Sequence, residues 1–184
     1  MERVMDRHGR LDILVNHAGI AAIADVLRTT TEIWRRTLAV HLDDTFFGCR
    51  HAIPTMERGG GGSIINISPT AARMGISPYF AYSATKGAIH SLTKSVAVCC
   101  REGENGIRCN SVHPGSIDTP MVEIALEELR DIKLPEHQDR QSARAAIGLG
   151  EPNDVAYRVL FLTSNESKHV TGAEPVVDHG NIVA

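Results

Sequence analysis

Four short apolar runs, rich in β-branched residues, are spaced along this chain with stretches of helical period between them. That alternation restricts the fold more than any other feature. The runs are RLDILVN, ending at Asn16, GSIINIS from Gly62 to Ser68, IRCNSV from Ile107 to Val112, and AEPVVD near the C-terminus. Strands separated by helices cannot close as tight hairpins, and the economical way to pair them is parallel, through right-handed crossovers. The fold class is therefore α/β, a parallel sheet with flanking helices.

The helical stretches carry their own start and stop signals. Thr29 and Glu32 have capping-box spacing, and Ile33, Leu38, Leu42, Phe46 and Cys49 recur at helical period until Pro54, where the helix is expected to kink or end. A second helix is expected over 79–101 and a third from EPNDVAYRVLFLTS, with Pro152 in its first turn. Residues 122–148 are charged and interrupted by Pro135, so they read as short amphipathic helices, and 121–148 is expected to form a lid over a substrate site. The run ERGGGGS follows a helix and precedes a strand, the reverse of a phosphate-binding turn, and reads as a flexible connector.

A chain of 184 residues supports one core, so 1–184 is expected to be a single domain. A formal charge of −3 argues against nucleic acid and anionic membrane surfaces as partners, and no apolar run approaches the ~18 residues of a membrane span. The four cysteines form no CxxC pair, which suits a reducing, cytoplasmic compartment. Nine histidines show no metal-helix spacing, so no metal site is expected.

Tyr82 and Lys86, in YSATK, stand four apart and share one helix face, where a tyrosine and an ammonium group can act as an acid/base pair. Alone this spacing is weak. Here it follows LDILVNHAG and GSIINIS, and precedes NSVHPGSIDTPM and GEPNDVAYRVLFLTSNESKHVTGAEPVVDHG. This ordered set resembles the short-chain dehydrogenase/reductase family from about residue 3 to the last residues. The segments FFGCRHAIPTM, GSIINIS and GIRCNSVHPGSIDTPM look most like bacterial hydroxysteroid or secondary-alcohol dehydrogenases.

The resemblance implies a Rossmann-like sheet and an NAD(P)-dependent oxidoreductase interconverting a secondary alcohol, hydroxysteroid-like substrates included, and a ketone. Tyr82 would be the general acid/base, with Lys86 lowering its pKa from near 10 and bonding the nicotinamide ribose. Asn16, Ala18, Gly19 and Ile67 would line the NAD or NADP site, with Pro114, Gly115, Ile117 and Thr119 flanking the nicotinamide. A small-molecule alcohol or ketone is the implied substrate, and the family's helices imply a homo-oligomer.

The chain also departs from the family pattern. Its start corresponds to the helix before the fourth family strand, so the first three strands are expected to be lacking, leaving order 4-5-6-7 and half of the cofactor cradle. The serine usual thirteen residues before the tyrosine falls at Pro69, leaving Ser68 or Thr70 as substitutes. His41 takes the place of an asparagine that serves the family's proton relay, and His179 that of a glycine. These departures keep open an alternative: a non-catalytic shortened homologue or fragment acting as an oligomerisation partner.

Overall fold

The computed structural model describes residues 1–130 and 148–183. Strands β1 (Ile13–Asn16), β2 (Gly62–Ile67), β3 (Ile107–Pro114) and β4 (Val176–Val177) pair in parallel in the sequential order β1-β2-β3-β4, as the 4-5-6-7 expectation requires. Helix α1 (Glu2–His8) precedes β1. Helices α2 (Thr31–Leu38) and α3 (Asp44–Arg58) cross from β1 to β2, and α4 (Phe80–Glu102) from β2 to β3. Helices α5 (Pro120–Arg130) and α6 (Pro152–Thr163) lie between β3 and β4. Asn16 pairs with Asn66, and Ile67 with Val112, so the carboxyl ends of the first three strands lie together.

Side-chain alternation along the strands divides the core in two. On one face Leu11, Cys49, Ala52, Met56, Ile64, Ala97 and Cys109 pack under α3 and α4; on the other Ile65, Ile67 and Val112 meet Leu162 of α6. Ser63 ties the second layer down by donating to the Leu162 carbonyl (2.8 Å). Ile13 and Val15 share the register of Ser63 and Ile65 but remain 45% and 40% exposed, because α6 covers β2 and β3 and leaves β1 bare.

Helix α2 begins one residue later than its sequence signal. Thr30, not Thr29, is the N-cap and accepts from Ile33 N–H (3.2 Å), while the Thr29 hydroxyl donates to the Asp25 carbonyl (2.7 Å). Between α2 and α3 the helix widens to a π turn over Ala39–Asp43. Its buried stripe is Thr37, His41, Thr45 and Cys49, a repeat of four that outruns the 3.6-residue turn, and the wider turn restores the phase. Phe46, expected on the apolar face, is consequently 43% exposed. Thr37 and Thr45 satisfy their buried hydroxyls by donating to the carbonyls of Ile33 and His41 (2.7 Å each). Pro54 does not end the helix, which runs on to Arg58.

The glycine run is a close-packed junction, not a slack connector. Gly61 donates to the Met56 carbonyl (2.9 Å) at φ 121°, and a Cβ on it would lie 2.5 Å from the Gly106 carbonyl oxygen. Helix α6 starts as the sequence indicates, with Pro152 in its first turn and Glu151 N–H donating to Asp154 Oδ2 (2.8 Å). Of the expected lid, α5 lies within the described residues and 131–147 lie outside them. Among the described residues no helix is long and apolar enough to cross a membrane.

Candidate active site

Helix α4 starts on the loop that leaves β1. Ala24 forms a parallel bridge with Tyr79, its N–H donating to the Pro78 carbonyl (2.8 Å), which pins the first turn of α4 beside the segment after Asn16. One turn further on, Tyr82 and Lys86 face inward. The Lys86 ammonium is buried, donates to the Ile67 carbonyl (3.0 Å) at the end of β2, and stands 5.9 Å from the centre of the Tyr82 ring. Burial lowers the Lys86 pKa to about 8.

Tyr82 responds to the same burial in the opposite direction. Its phenol is pushed above its usual range by burial and then by neighbouring Tyr79, whose ring centre is 5.9 Å away. No depression by the adjacent ammonium offsets these two effects in this arrangement, although its nitrogen lies 5.9 Å from the ring centre.

His41, the middle of the π turn, meets Tyr82 edge-on at a ring separation of 5.3 Å. His41 Nε2 lies 3.0 Å from Ile20 N and 3.1 Å from Ile20 O, and Nδ1 is buried without a hydrogen-bond partner. Burial and then the Lys86 charge lower the His41 pKa to about 4, so the ring is neutral at pH 7. His17, on the loop after β1, is also lowered by burial and by Lys86.

The remaining candidates divide between this cluster and its frame. Ser68 is fully buried and its hydroxyl donates to the Lys86 carbonyl (2.7 Å), so it braces α4. Thr70 opens a short 3₁₀ turn just beyond Pro69 and is also buried. Asn16 donates to Asn66 Oδ1 (2.8 Å), and Asn66 donates to Thr93 Oγ1 (2.9 Å), a buried amide chain joining β1, β2 and α4. Sequence reasoning missed this chain, although an asparagine inside the apolar run IINI was a signal for it.

Gly19 passes His41 so closely that a Cβ would lie 3.3 Å from Cε1. Ala18 stands exposed on the same loop. Pro114 ends β3, and Gly115 donates to the Val177 carbonyl (2.9 Å), where a Cβ would lie 2.7 Å from that of Asp178. Ile117 bridges Gly150, and the Thr119 hydroxyl donates to the Ile117 carbonyl (3.3 Å), fixing the approach to α5. The structure thus gathers Tyr82, Lys86, His41, Ile67 and Ser68 into one linked cluster. It sets Asn16 behind them and Pro114, Gly115, Ile117 and Thr119 on the neighbouring strand end. A cavity of about 560 Å³ lies between the loop after β1, α2 and α5, with Ile20, Ile23, Ile33, Met121 and Ile124 as apolar walls and Arg36 as a cation.

A family profile described as enoyl-(acyl carrier protein) reductase matches residues 1–181. An NADP-dependent (R)-specific alcohol dehydrogenase from Lentilactobacillus kefiri is 43% identical over 174 residues, covering 94% of this chain and 66% of its own length. The chain belongs to the short-chain dehydrogenase/reductase family. A 3-alpha-(or 20-beta)-hydroxysteroid dehydrogenase of that kind from Mycobacterium bovis is 40% identical, with 95% of this chain and 62% of its own length covered. For a 3-beta-hydroxysteroid dehydrogenase from Comamonas testosteroni the figures are 35%, 97% and 69%. The crystal structure of a protein from Burkholderia xenovorans, described as a short-chain dehydrogenase/reductase, superposes with TM-score 0.88 at 32% identity, covering all of this chain and 69% of the other. The chain therefore spans about two thirds of the length of these short-chain dehydrogenase/reductase relatives.

Proposed function

We propose that the protein is an NAD(P)-dependent oxidoreductase that interconverts a secondary alcohol and a ketone, with Tyr82 and Lys86 as its catalytic residues. One observation carries this reading: an ammonium group with three protons is buried beside a tyrosine, with Ile67 O as its hydrogen-bond acceptor, where three parallel strands end. Burying such a charge is costly unless its donors are used, and two vicinal ribose hydroxyls suit the donors left over. This is also where open α/β sheets take their ligands.

The residues present fit the nicotinamide side of a dinucleotide. Pro114, Gly115, Ile117 and Thr119 flank the position, Ala18, Gly19 and Ile67 line it from the ends of the first two strands, and Asn16 supports it from behind through Asn66. No glycine-rich turn from a strand into a helix occurs among the described residues, so the adenosine side has no matching cradle there. When bound, the nicotinamide supplies or accepts the hydride. Tyr82 would then give or take the proton at the substrate oxygen; burial raises its phenol in the structure as it stands, and the Lys86 charge one turn away opposes that rise. Neutral His41 packs against Tyr82 and fixes the ring. Ser68 positions Lys86 from behind, and the apolar cavity beside α5 receives the substrate's hydrocarbon part. Hydroxysteroid-like and simple secondary alcohols both fit such walls.

Two further points belong to this reading. Exposed Phe46 and Phe47 on α3 and Val98 on α4 support a homo-oligomer built on those helices. The engaged Ser68 hydroxyl, together with Pro69, favours a second reading in which the chain is a non-catalytic partner of full-length subunits. Titrating NADH and NADPH into the protein while following nicotinamide fluorescence separates the two. The catalytic reading expects saturable binding that Lys86→Met weakens at least about tenfold, in line with the loss of charge-assisted hydrogen bonds. Absence of binding to the wild-type chain would favour the partner role.

A further inference from the structure

Behind Lys86, on the next turn of α4, a second cluster joins three elements far apart in sequence. His90 of α4, His113 of β3 and Glu174 just before β4 each offer one ligand atom within 4.8 Å of the other two. His90 Nε2 stands 2.7 Å from Glu174 Oε1, and the two imidazoles meet edge-on at 5.1 Å. His113 is fully buried; its Nε2 lies 2.8 Å from the Ser111 hydroxyl, and its Nδ1 is buried without a hydrogen-bond partner.

We propose that His90, His113 and Glu174 form a binding site for one divalent transition-metal ion of the zinc class. Two imidazoles and a carboxylate are a borderline-soft donor set suited to zinc or cobalt, and poorly suited to magnesium, which prefers an all-oxygen shell. Three protein ligands leave one tetrahedral position open. Metal-to-ligand bonds of about 2.0–2.1 Å place tetrahedral donors about 3.3 Å apart, so His90 and Glu174 must part from their 2.7 Å hydrogen-bonding distance to admit the ion between them, a change that side-chain torsions supply. Coordination through His113 Nδ1 gives that nitrogen its missing partner, while Ser111 holds the opposite ring nitrogen and so sets the ring's orientation.

The cluster also contains the ion's competitor. The Lys94 ammonium lies 2.6 Å from Glu174 Oε1, and Arg73 lies 3.8 Å from Oε2. The Lys94 side chain is 55% exposed on a flexible stem, so it can swing into water as an ion takes its place. An ion there would tie α4 to the ends of β3 and β4. His90 is one turn from Lys86, and His113 directly precedes Pro114, so it would stiffen the wall of the candidate active site. No spacing in the sequence marks this site, since its ligands meet only through the parallel sheet.

The test is a titration of chelator-treated protein with Zn²⁺ by calorimetry, and with Co²⁺ by visible absorption. The site predicts one equivalent bound, with tetrahedral cobalt bands. His90→Ala, at a partly exposed position, should weaken binding at least about tenfold. Lys94→Met, which removes the competing ammonium, should tighten it, and Glu174→Gln should abolish the cobalt bands with the melting transition retained. No one-to-one binding by the wild-type chain, equal affinity in His90→Ala, or no tightening in Lys94→Met would overturn the proposal.

Discussion

Lys86 shows how one residue sets stability against function. Its pKa falls from 10.5 in the unfolded chain to about 8 in the fold, through burial. Between those values the unfolded chain still holds a proton that the folded chain has released, so stability rises with pH across that window. Below about pH 8 the buried charge is a full penalty, of up to about 3 kcal/mol. Lys86→Met is therefore expected to raise the urea midpoint at pH 7 and to flatten the rise between pH 8 and 10.5; a lower midpoint would contradict this reading. His41 works in the same sense at lower pH: with its pKa lowered to about 4, stability falls as pH drops from 6.5 toward 4. The engagement of Ser68 with the Lys86 carbonyl was not legible in the sequence, since it depends on how α4 packs over the end of β2.

At the scale of elements, most of the pattern could be read from residue types, because β-branched runs and helix periods report directly on strand and helix. The π turn was not legible, since a stripe of threonines and a histidine carries little apolar signal. The Thr29/Thr30 ambiguity has a similar cause, as three successive threonines offer equivalent capping oxygens. His179 is the reverse case: it stands where a glycine is usual and takes φ 57°, the left-handed conformation that favours glycine. Contact between α3 and β1 turns on Gly48, where a Cβ would run into Asn16 Oδ1. Gly48→Ala should gain helix propensity and still destabilise, by about 1–3 kcal/mol, because it pushes Asn16 off Asn66. Chemical denaturation measures this, and a stabilised variant would show that the helix can shift away at little cost.

Across the whole molecule, the parallel sheet gathers the candidate residues and a bare face of β1 marks where covering is absent. Ile13 and Val15 present that face to solvent, and the strand's outer edge has no pairing among the described residues. An unpaired apolar edge strand of this kind is open to pairing with another chain. The candidate site could be located in sequence through the order of its motifs, whereas its electrostatics could not, since burial raises the Tyr82 pKa despite the lysine one turn away. The most direct check of the catalytic reading is oxidation of a panel of secondary alcohols with NAD⁺ and NADP⁺ by the wild-type chain and Tyr82→Phe. The account predicts turnover by the wild type, and a loss of kcat of about 10²-fold or more in the variant with cofactor affinity retained. Undiminished turnover in Tyr82→Phe, or none in a wild-type chain that binds cofactor, would contradict it.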